Sequence, residues 1–182
     1  MKDLKHARPT KLLWVDLEMT GLDSSKDLIL EIAAEITDFD FTPLASYEAH
    51  IAQDEATVRA RMAANPWWAE YPANRDDFLT KLATGKPSGQ VEQELMALVK
   101  EQFGDEPAIL AGNSVHADRS FIETHWPELF KLLHYRMLDV TAWKVVMYGK
   151  YGHEFRKKET HRAFDDIHES IAELKYYLSL RK

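Results

Sequence analysis

A short apolar run that ends in two acids constrains the fold of this chain most strongly. Residues 12–15 are all apolar, and Asp16 and Glu18 follow before the turn signal at residues 20–21. An apolar run bounded in this way predicts a buried β-strand. Side chains alternate along a strand, so Asp16 and Glu18 share one face with Trp14. The pattern therefore predicts a buried strand with two neighbouring carboxylates at its end.

The rest of the chain alternates strands with helices. Further strands are predicted at 33–38, 46–51, 109–111 and 137–140, and helices within 54–103, at 117–126 and up to residue 148. The last helix is predicted from an apolar stripe of Phe164, Ile167, Ile171, Leu174 and Leu178. This order favours an α/β fold, a mixed five-stranded sheet flanked by helices. We expect one domain over residues 12–182 after an N-terminal extension over residues 1–11.

Composition argues against several classes of function. The 182 residues include 23 Lys and Arg against 30 Asp and Glu, a net charge of −7. This sign is wrong for a protein that grips long nucleic acid through many phosphates. The sequence has no cysteine, which excludes disulfides and thiol catalysis and fits a reducing compartment. Without an apolar stretch typical of a membrane span or signal peptide, we expect a cytoplasmic protein.

Three residues further along the chain add to the two strand acids. Asp118 lies where a strand gives way to a helix, and His161 and Asp166 lie near the start of the last helix. Each alone is also typical of an ordinary position, such as an acid in a first helical turn or a surface histidine. Together the five residues offer carboxylates for two hard cations, magnesium or manganese, and a base for water. Such a set suits phosphodiester cleavage.

Four motifs in this order resemble the oligoribonuclease family of DEDDh exonucleases. They are residues 16–23, residues 112–114 with Asp118, residues 134–136, and residues 160–161 with 165–167. The resemblance extends from residue 12 to residue 177. It implies an RNase H-like fold and a homodimeric 3′-to-5′ exoribonuclease. Its substrates would be very short oligoribonucleotides, especially dinucleotides, which it would split into 5′-mononucleotides.

The resemblance also implies which residues act on the scissile phosphate. Asp16, Glu18, Asp118 and Asp166 match the acids that bind two magnesium or manganese ions. His161 matches the general base that deprotonates the attacking water.

A second group of matching residues would hold the substrate. Leu22 matches a leucine that wedges between the substrate bases. Ser114, Arg136 and Thr141 resemble a polar set that caps the 5′-phosphate, and Tyr135 and Arg136 are expected to reach the partner protomer's site. An Arg fork and backbone donors at a helix start both suit phosphate. A cap at a fixed distance from the metal ions would select length rather than sequence.

A substrate-stacking aromatic is common in this family after the third strand. Here that segment contains Trp67 and Trp68, and either indole is a candidate for stacking on a base. Stacking on an aromatic contributes about 1–3 kcal/mol, although tryptophan is as common as a packing residue. The sequence leaves the choice between the two open.

Other functions fit parts of the sequence. Residues 16–20 also resemble the nucleophile motif of haloacid-dehalogenase phosphatases, in which Asp16 would be phosphorylated. That interpretation has Glu18 where the motif has an aspartate, and it leaves His161 and residues 134–136 without a role. A non-catalytic RNA-binding protein with the same fold is a further alternative. The presence of all four acids and of His161 argues against it. A polymerase proofreading subunit would share these catalytic residues, whereas residues 134–136 favour the oligoribonucleases.

Overall fold

A five-stranded mixed sheet forms the centre of the fold. The computed structural model describes residues 8–156 and 163–180. The strands are β1 (Lys11–Met19), β2 (Ile29–Asp38), β3 (Pro43–His50), β4 (Ala108–Gly112) and β5 (Leu133–Asp139). Their order is β3-β2-β1-β4-β5, with β2 antiparallel to its neighbours and β4 parallel to β1 and β5. The predicted α/β class and mixed five-stranded sheet are confirmed.

Helices cover both faces of the sheet. They are α1 (Glu55–Ala64), α2 (Trp67–Glu70), α3 (Pro72–Lys81), α4 (Ser88–Phe103), α5 (His116–His125), α6 (Pro127–Phe130), α7 (Val140–Tyr151) and α8 (Ala163–Ser179), with a 3₁₀ turn at Leu82–Thr84. Leu13 and Val15 belong to an apolar cluster with residues of α4 to α6, whereas Leu12 and Trp14 belong to one with residues of α7 and α8. The alternation along β1 therefore divides the core as predicted.

The predicted stripe buries helix α8 against β1 and β2. Ile167, Ile171 and Leu174 are buried, and Phe164 and Leu178 are partly buried against the same cluster. Burying one face of an amphipathic helix fixes its rotation about its own axis. The rotation of α8 turns Asp166 towards the acids at the end of β1.

Strands β2, β3 and β5 begin three or more residues earlier than their sequence predicts. Strand β2 starts at Ile29 rather than at residue 33, because the buried carboxylate Glu31 belongs to the strand although it interrupts its apolar pattern. Strand β3 starts at Pro43 rather than at residue 46, and its first residues are mostly exposed, unlike those of a buried strand. Strand β5 starts at Leu133 rather than at residue 137. It is an edge strand, and residues 135–137 are exposed, so its first half lacks the apolar signal of a buried strand.

A third apolar cluster lies beside the end of β1. Val58 and Met62 of α1 and Phe78 of α3 surround Trp68, and Leu30 connects this cluster to the sheet. The cluster holds the segment around Trp67 and Trp68 next to the loop that follows β1, because the Trp68 Nε1–H donates to the carbonyl oxygen of Thr20 at 2.9 Å.

Candidate active site

Three carboxylates meet where β1 ends beneath helix α8. Asp16 and Glu18 lie on β1, and Asp166 lies in the first turn of α8. One oxygen atom from each of them lies within 4.8 Å of the others, and all three side chains are half-buried. Like charges at this spacing repel one another, and a hard divalent cation relieves that repulsion. The donor set is oxygen only, which fits magnesium or manganese.

Asp118 approaches the same strand from the other side of the sheet. Its carboxylate on α5 accepts a hydrogen bond from the backbone N–H of Leu17 at 3.0 Å. Strand β4 pairs with β1 at Leu13 and Trp14 only. The N–H of Leu17 lies beyond the end of that pairing, and Asp118 accepts its hydrogen bond in place of a neighbouring strand. Leu17 lies between Asp16 and Glu18, so Asp118 contacts the backbone of β1 between its two acids, although its carboxylate is not part of the cluster of Asp16, Glu18 and Asp166 among the described residues.

Burial makes the carboxyl group of Asp118 a weaker acid than usual. The side chain is buried, and loss of hydration raises the pKa of its carboxyl from 3.8 to about 7, against the lowering effect of the hydrogen bond from Leu17. The charge of nearby Asp139 adds to the rise. A carboxylate that is reluctant to ionise in the metal-free protein gains most from a bound cation.

His161, the predicted general base, lies outside the described residues. The described part of α8 begins two residues later, at Ala163.

The loop after β1 is closed tightly around Thr20 and Asp27. Thr20 Oγ1 donates to Asp27 Oδ1 at 2.9 Å and accepts from the N–H of Leu28 at 3.0 Å. A Cβ at Gly21 would lie 2.5 Å from Asp27 Oδ2, so a larger residue would displace the Asp27 carboxylate from its hydrogen bonds with Thr20 and Asp23. Leu22 follows at the tip of this loop with 82% of its side chain exposed. An anchored loop that presents an exposed leucine fits the predicted wedge.

The two tryptophans occupy different environments. Trp68 is 2% exposed, with Trp67 and Phe78 packed edge-on against it at ring-centroid distances of 4.7 and 5.8 Å. This burial makes Trp68 a packing residue and takes it out of the choice for base stacking. Trp67 is half-buried and stacks on Tyr71 at 4.5 Å. It remains the candidate for contact with a base.

Ser114 and Thr141 meet at the ends of the parallel strands. Ser114 adopts a left-handed backbone conformation, with φ of 51°, and its N–H points at Asp139 Oδ1 at 3.0 Å and at Thr141 Oγ1 at 2.9 Å. The two hydroxyl oxygens are 3.2 Å apart on an exposed surface. Asp139 also accepts the N–H of Thr141 and thereby caps α7. We did not predict this role from the sequence, although an aspartate before a helix is a capping signal.

Tyr135 and Arg136 lie on the exposed edge strand β5. Tyr135 is 70% exposed, and the Arg136 guanidinium lies 5.0 Å from the centre of its ring. The His134 ring stacks on that of Tyr135 at 4.5 Å, and the carbonyl oxygen of His134 accepts from Arg119 Nη1 at 2.9 Å. Tyr135 and Arg136 are therefore both exposed, so that a second molecule can contact them.

Exposed large apolar residues are concentrated on β5 and on α7, the helix that follows it directly, and we call this set the β5–α7 patch. It comprises Tyr135, Met137, Val145, Val146, Tyr148 and Tyr151. Exposed apolar residues clustered in this way are typical of an interaction surface. Among residues 8–156 and 163–180, none of the helices has the length and apolar composition of a membrane span. The cytoplasmic location stays a prediction.

Comparison with a family model and with solved structures identifies the class of protein as an exonuclease. The family model RNase_T, an exonuclease family, matches residues 13–174. The zinc-bound E. coli ExoI–ssDNA complex has a TM-score of 0.68 at 13% identity, covering 96% of this chain and 41% of that one. Exonuclease I from Methylocaldum szegediense has a TM-score of 0.63 at 12% identity, covering 96% and 41%. This chain thus spans less than half the length of those exonucleases, whose likeness establishes the RNase H-like fold.

Comparison with curated sequences narrows the class to one family. The oligoribonuclease of Francisella tularensis subsp. tularensis (strain WY96-3418) is 40% identical over 169 residues, covering 91% of this chain and 93% of its own. The mitochondrial oligoribonuclease of Mus musculus is 39% identical over 171 residues, covering 92% and 71%. The chain belongs to the oligoribonuclease family of exonucleases, which are nucleases that hydrolyse phosphodiester bonds. This assignment replaces the phosphatase interpretation of residues 16–20.

Proposed function

We propose that this protein is a 3′-to-5′ exoribonuclease that degrades very short oligoribonucleotides, especially dinucleotides, to 5′-mononucleotides. The observation that carries the proposal is the carboxylate cluster of Asp16, Glu18 and Asp166 in a chain of the oligoribonuclease family. A dinucleotide presents few phosphates, so a protein with a net charge of −7 needs no long basic groove to bind it.

The acids and His161 have separate tasks in this mechanism. Asp16, Glu18, Asp118 and Asp166 would hold two magnesium or manganese ions, and these ions would supply activation of water and stabilisation of the charge that develops on the phosphate. His161 takes a proton from the attacking water. The new bond joins the water oxygen to phosphorus, and the bond from phosphorus to the 3′-oxygen breaks. The products are a 5′-mononucleotide and the remaining 3′-hydroxyl.

Residues on two sides of the acids hold the substrate. Leu22 inserts between the two bases, and Trp67 stacks on one of them. Ser114 and Thr141, joined by Arg136 of a second protomer, bind the 5′-phosphate. The distance from this phosphate cap to the carboxylates would make the site select short substrates, because a longer RNA has no terminal phosphate at that distance.

Leu22→Ala is expected to raise KM for a ribodinucleotide about tenfold without lowering the thermal stability of the protein. The leucine is almost fully exposed, so the folded protein loses little when it is truncated, whereas burying a leucine side chain against bases contributes about 1.5–3 kcal/mol. Steady-state kinetics and a melting curve measure the two effects. Leu44→Ala, at an exposed leucine on β3, serves as the control. An unchanged KM in Leu22→Ala would rule out the wedge.

A homodimer would form through the β5–α7 patch. Introducing charge with Val145→Glu and Tyr148→Glu together is expected to shift the protein to monomers and to lower dinucleotide cleavage about a hundredfold, because each site then lacks Tyr135 and Arg136 of its partner. Sedimentation velocity and kcat/KM measure both consequences. Leu44→Glu places one such charge on the opposite edge of the sheet as a control. Monomers with full activity would contradict the shared site.

Product analysis tests the proposed reaction itself. A short RNA labelled at its 5′-end is incubated with the protein in magnesium, in manganese and in EDTA. We expect stepwise shortening from the 3′-end, release of 5′-mononucleotides in either metal and no reaction in EDTA. Internal cleavage, 3′-phosphorylated products or activity that persists in EDTA would refute the proposal.

A further inference from the structure

A chain of hydrogen bonds runs from α8 to the proposed phosphate cap. Ser170 Oγ donates to the carbonyl oxygen of Asp166 at 2.7 Å. Asn113 Nδ2 lies 2.7 Å from Ser170 Oγ and 3.3 Å from Glu173 Oε2. On its other side, Asn113 Oδ1 accepts from Thr141 Oγ1 at 3.3 Å. The backbone of a metal-binding acid is thus connected through Asn113 to the cap.

The donors along this chain fix the orientation of the Asn113 amide. A carboxylate only accepts, so the Asn113 NH₂ must face Glu173. The single hydroxyl hydrogen of Ser170 is used on Asp166, so Ser170 also accepts from Asn113. The amide oxygen of Asn113 therefore faces Thr141 and receives the hydrogen of its hydroxyl.

This orientation separates the roles of the two cap hydroxyls. Thr141 Oγ1 gives its only hydrogen to Asn113 and presents its lone pairs to Ser114, whose N–H points at it from 2.9 Å. The Ser114 hydroxyl lies 3.2 Å from Thr141 Oγ1, and because the hydrogen of Thr141 is used on Asn113, Ser114 is the donor of this exposed contact. A hydroxyl hydrogen rotates, so it can turn from Thr141 to a phosphate oxygen, which is charged and therefore the stronger acceptor.

Glu173 anchors this arrangement from the core. It has no exposed surface, and its second oxygen accepts from the Tyr177 hydroxyl at 2.9 Å. A buried carboxylate is costly unless hydrogen bonds hold it, and replacing it with an apolar residue often stabilises a protein. Its contact with Asn113 gives this acid a task besides packing.

We propose that Asn113 and Glu173 are positioning residues for 5′-phosphate recognition, which hold Thr141 as an acceptor so that Ser114 donates to the phosphate. The inference rests on the proposed function. Because Ser170 connects Asn113 to the backbone of Asp166, the same contacts set the distance between the carboxylates and the cap. Asn113 and Glu173 thereby contribute to selection by length without touching the substrate.

The experiment compares a 5′-phosphorylated ribodinucleotide with its unphosphorylated form. Glu173→Met keeps the size of the side chain but removes the acceptor, and Asn113→Asp replaces the NH₂ donor with an acceptor oxygen. We expect each variant to lower the ratio of kcat/KM for the phosphorylated substrate to that for the unphosphorylated one about tenfold, mainly through KM. The kcat/KM for the unphosphorylated substrate should stay within about twofold of wild type. Glu173→Gln is expected to restore the ratio, since the amide oxygen can accept from Asn113.

His168→Ala is the matched control. His168 contacts the buried Glu35 of β2 at 3.0 Å, so the variant removes a polar contact of α8 outside the cap chain, and its ratio should equal that of wild type. Wild-type preference that persists in folded Glu173→Met and Asn113→Asp would overturn this inference alone. An equal fall in His168→Ala would also overturn it. A wild-type protein indifferent to the 5′-phosphate would overturn the cap in the proposed function as well.

Discussion

Asp16→Asn is expected to lower kcat for short RNA at least about a thousandfold, because a metal-assisted reaction loses several kcal/mol of transition-state stabilisation with a charged ligand. Asparagine keeps the size of the side chain but removes one of three charges whose oxygens lie within 4.8 Å of one another. The apolar side chains around it are unchanged, so the domain stays folded. Turnover in magnesium, manganese affinity by calorimetry and circular dichroism measure these effects.

A carboxylate on the same face of the sheet provides the control. Asp16 of β1 pairs with Ala33 of β2, and Ala33 pairs with Glu48 of β3, so the two acids point to the same face of the sheet. Unlike Asp16, Glu48 is exposed. Glu48→Gln removes the same charge and should leave kcat and manganese affinity within about twofold of wild type. If Asp16→Asn kept wild-type manganese affinity, or lost activity only by unfolding, the metal role of the cluster would be wrong.

Asp118→Asn is expected to raise the free energy of unfolding of the metal-free protein at pH 8 by up to about 4 kcal/mol. The pKa of this buried acid is about 7 in the folded protein and 3.8 ordinarily. Between these values the unfolded chain ionises and the folded one does not, so wild-type stability falls as the pH rises from about 4 to about 7. Asparagine does not ionise, and its oxygen can still accept from Leu17.

Urea unfolding in EDTA at pH 5 and pH 8 measures this gain, which should be larger at pH 8. The same variant should lose RNA cleavage, because the ionised carboxylate is the metal-binding form. Magnesium should stabilise the wild-type protein more than the variant. Asp105→Asn, at an exposed acid, is the control and should change stability little at either pH. A variant less stable than wild type at pH 8 in EDTA would show that the pKa of Asp118 is not raised in the metal-free fold.

The parts of the fold with a strong local period could be predicted from the sequence. The alternation along β1 and the stripe of α8 both match the structure, because burial against one sheet requires a period that the sequence displays directly. From these two elements it follows that Asp16, Glu18 and Asp166 can meet. Their actual meeting required the packing of α8 on β1, which the sequence pattern alone does not specify.

Features that depend on contacts between distant segments could not be predicted. Trp67 and Trp68 are the same residue type side by side, and only the packing of Phe78 and the acceptor at Thr20 distinguish the buried one. The pKa of Asp118 depends on burial between α5 and β1. Glu173 lies beside the apolar stripe of α8 rather than in it, so it looks like a surface position until its partners Asn113 and Tyr177 are known.

These exceptions to local rules concentrate at the proposed active site. Three neighbouring carboxylates, a buried acid with a raised pKa and a serine with positive φ each cost stability. Proteins commonly violate the rules of folding at functional sites. The regular core of β1, β2 and α8 offsets these costs, and it holds the acids and the proposed cap in one frame.

The rate of mononucleotide release from a 5′-phosphorylated ribodinucleotide, compared with that from a longer RNA of the same composition, tests the central claim most directly. Both substrates are measured in magnesium with wild-type protein, and EDTA provides the blank. We predict rapid, EDTA-sensitive cleavage of the dinucleotide and much slower attack on the longer chain. Equal rates on both RNAs would contradict selection by length, and folded protein that leaves both intact in magnesium and in manganese would contradict the exoribonuclease assignment.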